Sequence, residues 1–203
     1  MPNIGIEEDA QKTARLSCRA LIASEKKMEF TLHYSGDLKT NADRVRKHSI
    51  RKAFHVQMKE LWKHEPLRNR KNLIEKHKSS IRNFNFVPLI TEKMGMTVEV
   101  DIVMLRPGKP GKIVIEGGDI DNRLKTLFDS LRTPDNEKEL PNEASPGEGE
   151  DPFYCLLSDD NLITGVTVHT DRLLNPLAGQ AHVEMYIKVI TKRIVDYIAT
   201  SGL

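Results

Sequence analysis

The stretch that most constrains the fold is an amphipathic segment at residues 119–131. Its apolar residues recur at i, i+3, i+4 and i+7, which is the spacing of one face of an α-helix. These residues are Leu124, Leu127, Phe128 and Leu131. Two glycines at 117 and 118 permit a sharp turn before the segment, and an aspartate can cap its first turn. We therefore predict a helix that buries one face.

Charged residues follow one edge of this predicted helix. Asp121, Lys125 and Asp129 recur at i, i+4 and i+8, so they form a stripe beside the apolar face. Asp119 and Asp121, separated by one residue, can both direct oxygen atoms at a hard cation. Asp160, in a later Asp-Asp pair, would supply a third ligand if the fold brings it near. The pattern indicates a site for Mg²⁺, with Mn²⁺ as a substitute.

The chemistry expected of such a site is phosphate ester hydrolysis. A divalent ion lowers the pKa of bound water and neutralises charge that grows on phosphorus. Lys125, one turn after Asp121, is placed to stabilise the phosphate in the transition state. The ordinary alternative is a capping role for an aspartate at a helix start and a turn role for the Asp159–Asp160 pair. The presence of all these residues together favours the metal site.

The remaining periodicities predict a single α+β domain with a mixed, mostly antiparallel sheet flanked by helices. At 203 residues, with 38% hydrophobic and 30% charged residues, the chain is long enough for one core. Alternation of apolar and polar residues predicts strands at 28–34, 84–90, 95–105, 162–169 and 182–190, the last two as an antiparallel pair. Helical spacing predicts helices at 43–64 and 191–198.

Two segments differ from this pattern. Residues 1–27 are predicted to form an N-terminal extension to a domain that spans 28–203. Residues 133–152 are rich in proline, glycine and acidic residues and have almost no apolar ones, a composition that cannot support a packed core. We predict an acidic loop insertion there, with a mobile centre.

The distribution of charge indicates a polyanionic partner. The formal net charge is only +2, but residues 44–82 contain thirteen Lys or Arg and three Glu. The alternative is a solvated helix face; the nearly one-signed excess favours binding to phosphates. The side chains expected to bind DNA are Arg44, Arg46, Lys47, Arg51, Lys52 and Lys59.

Several classes of protein are not favoured by the sequence. The two cysteines, Cys18 and Cys155, lie far apart, which argues against a disulfide framework or a zinc site. No apolar run approaches the ~20 residues that span a bilayer. We therefore expect a soluble, cytoplasmic protein.

The run from Asp119 through Asp121, Asn122 and Lys125 to Asp129, followed by an Asp-Asp pair before a strand, resembles the signature of the RusA-type Holliday junction resolvases. These are small Mg²⁺-dependent endonucleases of bacteria and their phages. Only this central motif is specific; the rest of the resemblance is in the order of elements. The long acidic insertion and the residues before 28 depart from the family's pattern.

The resemblance implies a RusA-like fold and a structure-selective DNA endonuclease. By it, Asp119, Asp121 and Asp160 would be catalytic metal ligands and Lys125 the catalytic lysine. Supporting roles would fall to Asn122, Asp129 and Asp159. The partners implied are four-way or other branched DNA and a second copy of the chain in a homodimer. Two alternatives stay open: a DNA-binding protein of this fold without catalysis, and a metal-dependent phosphohydrolase that acts on nucleotides.

Overall fold

The fold is built from seven strands and three α-helices within the described residues, which are 27–108, 119–175, 179 and 181–193 of a computed structural model. The helices are α1 (Arg44–Leu61), α2 (Lys71–His77) and α3 (Asp119–Leu131). The strands are β1 (Glu29–Asp37), β2 (Ser79–Ile81), β3 (Phe84–Ile90), β4 (Met96–Arg106), β5 (Phe153–Leu157), β6 (Ile163–Arg172) and β7 (His182–Arg193). None of these helices is both long and apolar enough to cross a membrane.

The larger sheet has the strand order β1-β7-β4-β6. β7 pairs antiparallel with β1 and with β4, whereas β6 runs parallel to β4. Alternate residues of β4 and β7 are buried, as the period of two requires when one sheet face packs on a core. Buried side chains of α1 and α3 join that face of the sheet in the main core.

The smaller sheet has the order β2-β3-β5, with β3 and β5 parallel. All five residues of β5 are buried, because both faces of this strand are covered. Strands of parallel sheets with two covered faces are typically apolar throughout. One face of this sheet joins the main core, and the other packs on a second cluster around Phe84, Phe86 and Phe153. Cys155 lies in that second cluster, where burial raises the pKa of its thiol to about 12, so the thiol is protonated at neutral pH.

The predicted α+β class with a mixed sheet is confirmed, and three of the five strand pairings among the described residues are antiparallel. The predicted pairing of β6 with β7 is wrong, because β4 lies between them. The predicted helix at 191–198 is wrong at its start, because β7 continues to Arg193; its remainder lies outside the described residues. So do residues 1–26 of the N-terminal extension and the two glycines before α3.

The acidic segment, residues 133–152, packs against the domain and is hydrogen-bonded to it. Leu140 is fully buried against the second cluster, so the expectation that this composition cannot support packing is wrong at that residue. Arg82 donates to the carbonyl oxygens of Pro141 and Asn142 at 2.6 and 3.0 Å. The segment thus covers the open face of the smaller sheet.

We expect Leu140→Ala to lower the free energy of unfolding by about 2–5 kcal/mol, because it leaves a cavity beneath the acidic segment. Urea denaturation measures the change. Leu174→Ala is the matched control, since Leu174 is 86% exposed and its truncation should change stability little. A loss below about 1 kcal/mol for Leu140→Ala would show that the segment is not part of the core.

α1 buries two histidines, His48 and His55, of which His48 has the more strongly apolar surroundings. His48 is 4% exposed, stacks on Phe153 and meets Phe84 edge-on. Neither of its ring nitrogens has a hydrogen-bond partner among the described residues. Burial, followed by the charges of Arg51 and Lys52, lowers the pKa of His48 from 6.5 to about 4. The ring is therefore neutral in the folded protein at neutral pH.

His48 should make stability depend on pH between 6.5 and 4. In this window the unfolded chain binds a proton at His48 and the folded chain does not, so stability falls as the pH falls, by up to about 3 kcal/mol. His48→Leu should remove that part of the slope in urea denaturation measured at several pH values. His169→Leu, at an exposed histidine on β6, should keep the wild-type slope. Equal slopes for wild type and His48→Leu would contradict the assignment.

Candidate functional site

Hydrogen bonds hold α3 at both ends. At its C-terminal end it accepts from a side chain of α1, and near its N-terminal end one of its own side chains donates to the loop before α1. Arg51 of α1 is buried and donates to the carbonyl oxygen of Asp129 at 2.7 Å and to that of Arg132 at 3.0 Å. It thereby satisfies carbonyls that a helix end leaves without partners. Near the first turns, Arg123 donates to the carbonyl oxygen of Leu38 from a buried position. The orientation of α3 is therefore set by the loop before α1 and by α1 itself.

Two of the predicted catalytic side chains lie on the open edge of α3. Asp121 and Lys125 are both exposed and make no hydrogen bond or ion pair with other described residues. Asn122, between them, is half-buried. Asp119 begins the helix, but its side chain lies outside the described residues. The predicted stripe is therefore correct for Asp121 and Lys125, whose charged groups are available to a ligand.

Asp129, the third member of the stripe, turns out to be an interior residue. It is 8% exposed, and its Oδ2 lies 2.6 Å from Nζ of Lys47 on α1. The helix carries Asp129 toward α1 because its position falls between the exposed edge and the buried face. This aspartate links two helices and is not open to solvent.

Arg132 follows α3 and gathers carboxylates around its guanidinium. Nη1 lies 2.9 Å from Oδ1 of Asp135, and Nη2 donates to Oε1 of Glu139 at 3.1 Å. Nε lies 3.7 Å from Oδ1 of Asp129 and 4.0 Å from Oδ1 of Asp160. Arg132 and these four carboxylates form what we name the Arg132 cluster. Because the cluster contains four carboxylates and one guanidinium, the cluster carries an excess of negative charge.

The backbone brings Asp160 to this cluster. Arg132 and Leu157 form a parallel bridge, so the chain leaving α3 runs beside the end of β5. Thr133 donates its N–H to the carbonyl oxygen of Leu157 at 2.9 Å. Asp159 accepts from the N–H of Asn161 at 2.9 Å and caps the short turn that begins at Asp160. The turn role of Asp159 is thus present in the structure.

The electrostatics of the cluster hold Arg132 in its charged form. Burial lowers the pKa of Arg132, but the hydrogen bond and charge of Glu139, with Asp135 and Asp129, outweigh burial and raise it. At Asp135 burial dominates and raises the pKa of the carboxyl group, against the opposing charge of Arg132. A permanent guanidinium therefore stands beside Asp160.

Asp121 lies in the first turn of α3, whereas Asp160 lies beside Arg132, which follows the last turn. Asp121 precedes Asp129 by eight residues, which is about 12 Å along a helix axis. Asp160 contacts the guanidinium that folds back onto Asp129. Within the described ranges, no three Asp, Glu, His or Cys side chains are close enough to share a metal ion. Since the side chain of Asp119 lies outside those ranges, the convergence of three aspartates stays a prediction.

The six side chains predicted to bind DNA do not form one free surface on α1. Arg51 is 1% exposed and serves the end of α3, so it cannot reach DNA. Lys47 is engaged by Asp129. Arg46 lies 4.0 Å from Asp37. Arg44 is exposed and has no partner among the described residues.

The acidic segment occupies the two remaining lysines. Nζ of Lys52 lies 3.0 Å from Oε2 of Glu150, and Nζ of Lys59 donates to the carbonyl oxygen of Gly149 at 2.6 Å. The count of positive charges in the sequence therefore overstates what α1 offers to phosphates. Much of that charge is satisfied within the domain.

Sequence reasoning missed Arg132 altogether. The one available signal was its position three residues after Asp129, the spacing of an ion pair on a helix. Its contacts to Asp135, Glu139 and Asp160 come from later parts of the chain, which the local pattern does not bring together.

No family model matches the chain, and no curated protein or solved structure matches it. The resemblance to the RusA-type resolvases therefore depends on the motif residues alone.

We expect Asp129→Asn to lower the free energy of unfolding by about 3 kcal/mol, because it leaves the ammonium of Lys47 partly buried without its counterion. A double-mutant cycle with Lys47→Met, measured in urea, should give a coupling energy above about 1 kcal/mol. The exposed pair Glu60 and Lys63, taken through Glu60→Gln and Lys63→Met, should couple far more weakly. Additive effects at 47 and 129 would show that the pair is not a structural contact.

Proposed function

We propose that this chain is a Mg²⁺-dependent endonuclease of the RusA kind that cuts four-way or other branched DNA. The observation that carries the proposal is that Asp121 and Lys125 stand exposed, one turn apart on α3, without partners among the described residues. A carboxylate and an ammonium in that relation suit a metal-bound phosphate. The resemblance to that family supports a homodimer, and the separate cysteines support a cytoplasmic location.

Asp119, Asp121 and Asp160 would hold the Mg²⁺ ion, or Mn²⁺ in its place. The chemistry of the donors fits, because hard cations prefer carboxylate oxygens and Asp121 has no competing partner among the described residues. To share the ion, the carboxylate of Asp160, now 4.0 Å from Arg132, would have to reach the first turn of α3. When bound, the ion supplies an activated water and neutralises charge on the phosphate.

The chain's own residues would orient and stabilise the reacting phosphate. Lys125 would place its ammonium against the phosphate and stabilise the charge that grows there. Arg132, 4.0 Å from Asp160, would restrict where that carboxylate points. Asp129 would not contact the phosphate. It would act indirectly, because its ion pair with Lys47 holds α3 against α1.

We expect Asp121→Asn to lower the rate of cleavage of a labelled mobile four-way junction in Mg²⁺ by at least about 100-fold. Loss of a metal ligand removes several kcal/mol of transition-state stabilisation, and each 1.36 kcal/mol is a factor of ten. Lys125→Ala should lower the rate as well. Denaturing gels measure the cut strands, and binding of the intact junction in EDTA should be unchanged in Asp121→Asn.

Asp171→Asn is the matched control, because Asp171 is an exposed aspartate at the end of β6 whose carboxylate accepts from the neighbouring N–H of Arg172. It should cut at the wild-type rate. Equal cutting by wild type and Asp121→Asn would overturn the proposed site.

A second candidate function is binding of branched DNA without catalysis. The contact between Arg132 and Asp160 favours it, because a guanidinium beside that carboxylate can take the place of a metal ion. This candidate predicts that the junction is retained in a native gel and stays uncut in both Mg²⁺ and Mn²⁺.

A further inference from the structure

A cavity of about 510 Å³ opens at the carboxyl ends of the parallel strands β3 and β5, beside the Arg132 cluster. Thr91 follows β3 and Ser158 follows β5, and both line it. Ligands of sheets with parallel strands commonly bind outside the carboxyl ends of those strands. The volume lies within the range of sites for small molecules and single nucleotide units. Thr133 and Asp135 form the wall that the cavity shares with the cluster.

Three lysines from different elements converge on this cavity. Lys76 lies in the last turn of α2, Lys78 directly follows that helix, and Lys93 lies in the short turn between β3 and β4. The dipole of α2 would by itself favour a lysine at its carboxyl end. That explanation does not apply to Lys93, which comes from another element.

The positive charge of the cavity is only partly balanced. Lys76 and Lys93 have no ion-pair partner among the described residues, and Nζ of Lys78 lies 3.4 Å from Glu75. Two acids line the cavity, Glu92 and Asp135, and Asp135 is already paired with Arg132. An anion that entered would meet two lysines without counterions.

His77 lies between these lysines. Its Nδ1 is 3.4 Å from Oγ1 of Thr91, and the ring lines the cavity. Burial, then the charges of Lys76 and Lys93, lower the pKa of His77. An anion near the ring would oppose that shift, so His77 is a built-in reporter of anion binding.

We propose that this cavity binds the phosphate group of a nucleotide. The lysines and the serine that line it offer positive charge and a hydroxyl donor, which match a phosphate's charge and acceptor oxygens. The choice of source rests on the proposed function: a DNA strand that runs beside the Arg132 cluster would place a phosphate near its cut site in the cavity. A free nucleotide has the same chemistry, and the test separates the two.

The first measurement is an NMR titration of His77 in the full chain with EDTA present, its imidazole signal assigned by loss in His77→Gln. A single-stranded DNA 12-mer, thymidine 5′-monophosphate and inorganic phosphate are added separately. We expect the pKa of His77 to rise with the 12-mer at concentrations where inorganic phosphate has no effect. An equal response to thymidine monophosphate and the 12-mer would assign the cavity to free nucleotides. No change with any of the three would overturn the proposal.

The second measurement is fluorescence anisotropy of the labelled 12-mer in EDTA. Lys76→Ala with Lys93→Ala should weaken binding at least about 10-fold and reduce the salt dependence of log K by about 1.4, for two lost phosphate contacts. The control is Lys63→Ala with Lys188→Ala, which removes the same charge from exposed ion pairs elsewhere. Equal weakening by both double variants would overturn a specific site.

Failure of this inference is distinct from failure of the proposed function. Both measurements need neither metal nor cleavage, and the wild-type titration needs no variant to fold. If Asp121→Asn cuts normally while His77 responds to the 12-mer, the nuclease site is wrong and the cavity stands. If Asp121→Asn is inactive while the pKa of His77 does not change with the 12-mer, the nuclease site stands and the proposed phosphate site in the cavity is wrong.

Discussion

The arrangement of the candidate site depends on one buried side chain, the guanidinium of Arg51. Two of its nitrogens donate to carbonyl oxygens at the end of α3, where a helix cannot satisfy its own acceptors. Burying a charged group to 1% exposure is costly, and these two hydrogen bonds offset part of the cost, while Nη1 has no partner among the described residues. Arg51 therefore joins α1 to α3 and fixes the point at which Arg132 leaves the helix. The positions of Asp135, Glu139 and Asp160 around Arg132 follow from that point.

Local patterns in the sequence were sufficient for α3 and for β4. The apolar spacing that includes Leu127 and Leu131 predicted α3, and the alternation from Val98 to Met104 predicted β4; both agree with the structure. The order of strands could not be found in the same way. Whether β6 pairs with β7 or with β4 depends on contacts between residues far apart in the chain, and alternation within each strand is the same in both cases.

Charge was harder to interpret than apolar periodicity, because a count of lysines and arginines does not show their partners. Arg51 lies between Ile50 and Phe54 on the buried side of α1, so its own position in the helical period indicated burial. The engagement of Lys52 by Glu150 could not be anticipated, since it joins residues nearly a hundred positions apart. The same applies to the lysines around His77, whose convergence is created by the tertiary fold.

The parallel pairing of β4 with β6 places a long connection between two neighbouring strands of the larger sheet. Parallel neighbours need a crossover connection, and here the crossover carries α3, the acidic segment and β5. The entropic cost of closing such a long connection grows only with the logarithm of its length. Insertions at the exposed tip of the acidic segment, around Glu148, would therefore change the cost of joining the two strands very little. Evolution could thus alter the surroundings of α3 while the four-stranded frame keeps its register.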